Sequence, residues 1–192
     1  KIKKINNLLK FLPFYLLLKF NSFFIYLSSI ENIILRKKIS NINFRRIVVC
    51  GYPRSGTTFI TELINKDKKV TSLLYRDLPF VFTLYFWNKI NSIYYYGIST
   101  TRRSHGDKIL INPDSPDSFE EIFWSSFIED YRESGFKKNI NEDYKNVIFE
   151  NFLKKQIQKL FFLRNNVNTY LSKGNYFIYR LKYINKINKN SK

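Results

Sequence analysis

Methionine is absent from the 192 residues, and cysteine and histidine occur once each. The missing methionine and the opening Lys1 lead us to expect a piece of a longer chain, cut at both ends. The one cysteine, Cys50, excludes an intramolecular disulfide and a cysteine-built zinc site. It ends an apolar run, where a thiol reads as a small buried hydrophobe. Acidic residues are scarce: 15 Asp and Glu stand against 33 Lys and Arg, a formal charge of +18. That balance favours anionic partners such as nucleic acid, acidic polysaccharide or lipid headgroups. Lys, Asn, Ile, Phe and Tyr dominating together is equally what an A/T-rich genome writes, so composition leaves both causes open. No helix-turn-helix, zinc-finger or RNP pattern is present, and no nucleic-acid partner is expected.

A long uninterrupted apolar run is also lacking. Phe11 to Leu27 comes nearest, after Lys1, Lys3, Lys4 and Lys10, but Pro13, Lys19, Asn21 and Ser22 break it. Lys19 near its middle costs a spanning helix about 2.5–3.5 kcal/mol, and no small-residue cleavage site follows. Residues 1–44 therefore predict an N-terminal amphipathic helical segment, packed on the domain or resting on a membrane surface of a cytoplasmic protein.

Apolar residues make up 44% and aromatics 18%, enough for one domain with a sizeable core. Ile47 to Cys50, bounded by Arg46 and Gly51, carries the pattern of a strand buried on both faces. Thr57 to Asn65 reads as a helix with Phe59, Ile60, Leu63 and Ile64 inward. Val70 to Leu74 predicts a second strand, Pro79 opens a helix through Trp87 and Ile90, and Ile109 to Ile111 is extended. Ser115-Pro116 and Ser118-x-x-Glu121 signal a further helix start. Lys145 to Leu171 predicts one long amphipathic helix stopped near Gly174, followed by extended Tyr176 to Tyr179 and helical Leu181 to Ile187. This alternation gives an α/β layer architecture over residues 45–192.

Between the first strand and its helix lies Gly51-Tyr-Pro-Arg-Ser-Gly-Thr-Thr58. Its glycines permit a sharp turn and close approach, its amides form a nest, and the helix start adds positive potential. Arg54 brings a planar fork of donors, and Ser55, Thr57 and Thr58 bring hydroxyls. Nucleotide hydrolases place Lys where Thr57 stands and bind magnesium with the next hydroxyl. A donor without an outer phosphate chain or magnesium suits this loop better.

The loop resembles the 5′-phosphosulfate-binding loop of sulfotransferases that use 3′-phosphoadenosine 5′-phosphosulfate (PAPS). Tyr75-Arg76-Asp77-Leu78-Pro79-Phe80 is similar to a microbial branch of that family, as is Arg103-Ser104-His105-Gly106-Asp107 leading to Asp114-Ser115-Pro116-x-Ser118-Phe119-Glu120-Glu121. The resemblance implies a P-loop-like three-layer α/β fold with a central parallel sheet, incomplete at the C-terminus. It implies donor binding by Pro53, Arg54, Ser55, Gly56, Thr57 and Thr58, with no metal. Arg54 would neutralise charge on the leaving phosphate while the sulfuryl group passes to a hydroxyl or amine acceptor, a carbohydrate by family analogy. The 3′-phosphate site, on a later strand in the family, is expected to be missing from these residues, leaving a chain of low or no activity.

Two residues compete as general base. His105 has a suitable pKa near 6.5 and is otherwise a surface donor. Asp77 follows the loop by about twenty residues and is otherwise a helix cap beside Pro79. Trp87 and Trp124 read as core, Lys154, Lys155 and Lys159 as a solvated face, and Asp114, Asp117, Glu120 and Glu121 as caps. Two alternatives stay open. One is a magnesium-dependent phosphate-loop kinase or hydrolase; the other is a non-enzymatic basic protein held on membranes or polyanions.

Overall fold

Three parallel strands carry the fold, and the middle one comes last in sequence. The computed structural model of the chain describes residues 19–94, 100–102 and 110–189. Helix α1 (Asn21–Ile39) leads into β1 (Arg45–Val49), α2 (Thr57–Ile64) and β2 (Val70–Thr71). A 3-10 turn at Tyr75–Asp77 precedes the short helices α3 (Leu84–Asn88) and α4 (Asn91–Tyr94). Strands β3 (Thr101–Arg102) and β4 (Leu110–Ile111) pair antiparallel. Then come α5 (Glu121–Phe127), α6 (Val147–Arg164), β5 (Thr169–Lys173), a 3-10 turn at Phe177–Arg180 and α7 (Leu181–Lys189). The parallel sheet has the order β1–β5–β2, with Arg45 and Val70 both opposite Thr169. The α/β class and the parallel sheet are as expected, with three strands in that sheet.

Position in the sheet decides burial. All five residues of β5 are buried, as a central parallel strand requires. The expected two-sided burial belongs to β5 and not to β1, which is an edge strand with Ile47 exposed. Helix α2 is likewise turned against expectation. Thr57 and Thr61 face inward, while Phe59 is 68% and Leu63 55% exposed. The threonines fit there because Thr61 Oγ1 folds back onto the Thr57 carbonyl at 2.7 Å.

The long helix expected over 145–171 divides in two. Asn146 caps α6 by accepting the Phe149 N–H at 3.0 Å. Asn165 and Asn166, at positive φ of 46° and 56°, end it, since neither continues the helical backbone. The chain then re-enters as β5. Tyr176–Tyr179 is not a strand, since Phe177–Arg180 winds into a 3-10 turn. Pro79 does not open a helix either; it follows the 3-10 turn, and α3 begins at Leu84.

An aromatic core binds these layers. Trp124 is fully buried and meets Phe149 edge-on with centroids 4.7 Å apart, and Phe123 meets Phe152 at 5.2 Å. Each such ring contributes about 1.5–3 kcal/mol through burial alone. Trp87 is also buried, its indole N–H donating to the Arg76 carbonyl at 2.8 Å.

Charged residues expected at the surface are instead stitched inside. Lys159 and Glu31 are both 0% exposed and paired at 2.8 Å, joining α1 to α6. Lys159 also donates to Ser28 Oγ at 2.8 Å, and Glu31 accepts the Phe86 N–H at 2.8 Å. The four acidic residues read as caps each meet a different cation. Asp114 pairs with Arg76, Asp117 with Lys173, Glu120 with Arg46 and Glu121 with Arg180. Asp114 stays at the surface with its side chain 62% exposed, whereas the carboxylates of Asp117, Glu120 and Glu121 are largely buried and are balanced there by Lys and Arg.

Candidate functional site

The loop after β1 is shaped by two left-handed residues. The Tyr52 carbonyl accepts the Ser55 N–H at 3.2 Å, closing a turn. Arg54 then sits at φ 68° and Gly56 at φ 80°. Glycine adopts this region freely, whereas arginine there costs about 1 kcal/mol, a local strain of the kind that gathers at binding loops. The loop folds back so closely that a Cβ on Gly51 would lie 2.8 Å from Ser55 Oγ. Gly51 is thus needed for close approach and Gly56 for its dihedral.

Helix α2 opens directly from Gly56. Its first internal bond runs from the Ile60 N–H to the Gly56 carbonyl at 3.1 Å. The amides of Thr57 and Phe59 precede it and, among the described residues, have no backbone acceptor, as is usual at a helix start. Helix-start donors and the helix dipole give this end of α2 a positive potential. Pro53, Arg54 and Ser55 are exposed, and Arg54 has no ion pair among the described residues.

A lysine missing from the loop sequence arrives from the neighbouring strand. Lys173, 2% exposed, ends β5, which runs parallel to β1 and therefore finishes at the same sheet edge. Its Nζ donates to Thr58 Oγ1 at 2.8 Å and to Asp117 Oδ1 at 2.8 Å. Asp117 also accepts the Ser118 N–H at 2.8 Å and the Tyr75 hydroxyl at 3.3 Å. Asn175 accepts from Thr57 Oγ1 at 3.4 Å, and the Gly174 N–H bonds the Val49 carbonyl at 3.1 Å. The end of β5 therefore buttresses the loop at two points and the end of β1 at a third. Burial pushes the nearby Cys50 thiol up, which keeps it neutral near pH 7.

Sequence reasoning found the loop residues 53–58 together but missed Lys173, Asp117 and Asn175. The available signal was the Asn165-Asn166 break, after which Thr169-Tyr-Leu-Ser-Lys173 has strand composition and ends on Lys-Gly. Asp77 is placed at the end of the 3-10 turn, buried. One carboxylate oxygen accepts the Leu74 N–H at 2.8 Å and the other pairs with Arg164 at 2.6 Å. Burial raises its pKa, with Arg164 opposing. His105 lies outside the described residues.

Chemically, the arrangement can hold a doubly charged oxyanion on helix-start amides and hydroxyls, with one exposed guanidinium and one buried ammonium beside them. No protein-family model, curated protein or solved structure matches the chain.

Proposed function

We propose that residues 51–58 hold the 5′-phosphosulfate of PAPS and that the protein transfers its sulfuryl group to a hydroxyl or amine acceptor, a carbohydrate being the class its basic charge favours. The observation that carries this reading is the junction of Thr58 with Lys173: a helix-start hydroxyl held by a buried ammonium, beside an exposed Arg54 that makes no ion pair among the described residues. Amides at the start of α2 would take phosphate oxygens, and Arg54 would swing onto the bridging side. The acceptor oxygen or nitrogen attacks sulfur, the bond from sulfur to the phosphate oxygen breaks, and 3′-phosphoadenosine 5′-phosphate leaves with the electron pair. Lys173 and Arg54 offset the charge that grows on that leaving oxygen. The acceptor proton goes to a base. Both Asp77 oxygens already accept hydrogen bonds, which makes His105 the group to test first.

Lys173 also gives the kinase reading a specific support, because it supplies in space the lysine that the loop lacks in sequence. Calorimetric titration separates the two. The present reading expects binding of 3′-phosphoadenosine 5′-phosphate without magnesium, weakened about tenfold or more by Arg54→Ala. Adenosine 5′-triphosphate binding that requires magnesium, with no binding of 3′-phosphoadenosine 5′-phosphate, would replace it with the kinase.

A further inference from the structure

Helix α1 carries apolar side chains on both of its faces. At 100° per residue, Ser28, Glu31, Leu35 and Ile39 fall on one side, and these are its buried residues. That inner side buries Leu35 and Ile39 and is also held by polar bonds, since Ser28 and Glu31 meet Lys159 and Gln156 of α6. The opposite side presents Phe23, Tyr26, Ile33 and Ile34, all exposed, Ile33 to 74%. No element described in the structure covers these side chains to the extent that α6 covers the other face.

The charges around this apolar stripe are of one sign. Lys19 precedes the helix, and Arg36, Lys37 and Lys38 end it. The single carboxylate on α1 is Glu31, wholly buried in its pair with Lys159. Lys155 of α6 lies near Arg36 and Lys154, and after burial their charges lower its pKa, so cations cluster at this end. We infer that the outer face of α1 docks in the plane of a membrane carrying anionic lipid headgroups, with Phe23, Tyr26, Ile33 and Ile34 in the acyl boundary and the lysines among the phosphates.

The geometry favours lying flat over crossing. The inner face is locked to α6 by a buried ion pair, so inserting the helix would expose Lys159 and Glu31 to lipid. Among the described residues no helix is long and apolar enough to cross a membrane. A face of about 28 Å, as 19 residues span, with lysines at both ends suits an interfacial helix. The preceding residues 1–18 add four more lysines and an apolar run to the same end of the chain.

Vesicle flotation with the full chain tests this. Vesicles of phosphatidylcholine and phosphatidylglycerol in equal parts should bind the protein, and pure phosphatidylcholine should bind it much less. Tyr26→Glu with Ile33→Glu should cut the bound fraction by about tenfold or more, with circular dichroism unchanged because both residues are exposed. Lys37→Glu with Lys38→Glu should reduce binding to the anionic vesicles alone, and Phe23→Trp should give blue-shifted fluorescence on binding. Undiminished binding by the Tyr26/Ile33 variant would overturn the proposal and assign the contact to residues 1–18. Absence of vesicle binding, with a dimer in sedimentation that this variant disperses, would overturn it in favour of a second copy.

Discussion

Replacing Lys173 by methionine keeps the stem and removes the cation, which isolates what its charge does for the loop. In the native protein Nζ spans Thr58 and Asp117 at 2.8 Å each, with the Lys173 side chain 2% and that of Asp117 10% exposed. Removing one partner of a buried pair costs about 3–5 kcal/mol, because the other charge stays desolvated. Asp117 keeps the Ser118 N–H and the Tyr75 hydroxyl, which places the loss near the lower end, about 3 kcal/mol. Thr58→Val removes one charge-assisted bond while Lys173 keeps its carboxylate, and should cost less, about 1.5 kcal/mol. Lys173→Met with Asp117→Asn removes the stranded charge and should regain more than half of the loss. Urea unfolding reads all three. With slopes of about 1–3 kcal/mol per molar, the Lys173→Met midpoint should fall by about 1–3 M. A loss under about 1 kcal/mol, or a double variant no better than the single, would refute the claim that this pair buttresses the loop.

Asp77 should show itself in the pH dependence of stability. Its folded pKa is raised above the ordinary 3.8, chiefly by burial, so the folded state binds its proton more tightly than the unfolded state. The stabilising contribution is full below that ordinary value and is lost as pH rises through the raised folded value. Urea midpoints measured from pH 7 down to pH 4 should thus include a gain that Asp77→Asn removes; identical slopes in both proteins would contradict the assignment. Gly174→Ala should destabilise by about 1–3 kcal/mol, because the new Cβ would lie 2.5 Å from the buried Phe177 ring. Gly51→Ala meets the rotatable Ser55 hydroxyl and should cost less in thermal melts; the reverse order would count against this packing.

The loop was legible because its signals are local. Two glycines, a preceding β-branched run and a following helix sit within a few residues, and dihedral demands act at that range. The face of α2 was not legible. Its apolar residues would pack inward by the usual rule, but β1 is a sheet edge, and Phe59, Ile60 and Leu63 project outward from it. Strand β5 was hidden because the helical spacing of Phe149, Phe152, Leu153, Ile157 and Leu160 runs on by chance to Leu171. Only the asparagine pair marks the break, and its positive φ angles are a property of the backbone rather than of hydrophobic pattern. Lys173 was out of reach for a simpler reason: it stands 115 residues from Thr58, and only strand pairing brings them together. Asp114 to Glu121 misled in the same way, since Arg46, Lys173 and Arg180 come from distant segments.

The order β1–β5–β2 also sets a timetable. Neither β1 nor β2 has the other as a neighbour; each pairs with β5 alone. Arg46 and Ser172, bonded across the β1–β5 pair, are 126 residues apart. At about 5–20 residues per second, a ribosome needs about 6–25 s to travel from one to the other. During that interval the nascent chain carries two orphan strand segments and a glycine loop with no scaffold beneath it. Pairing in this sheet begins only when β5 leaves the exit tunnel, which makes slow elongation past β2 a hazard for this chain and a chaperone's grip on β1 an advantage.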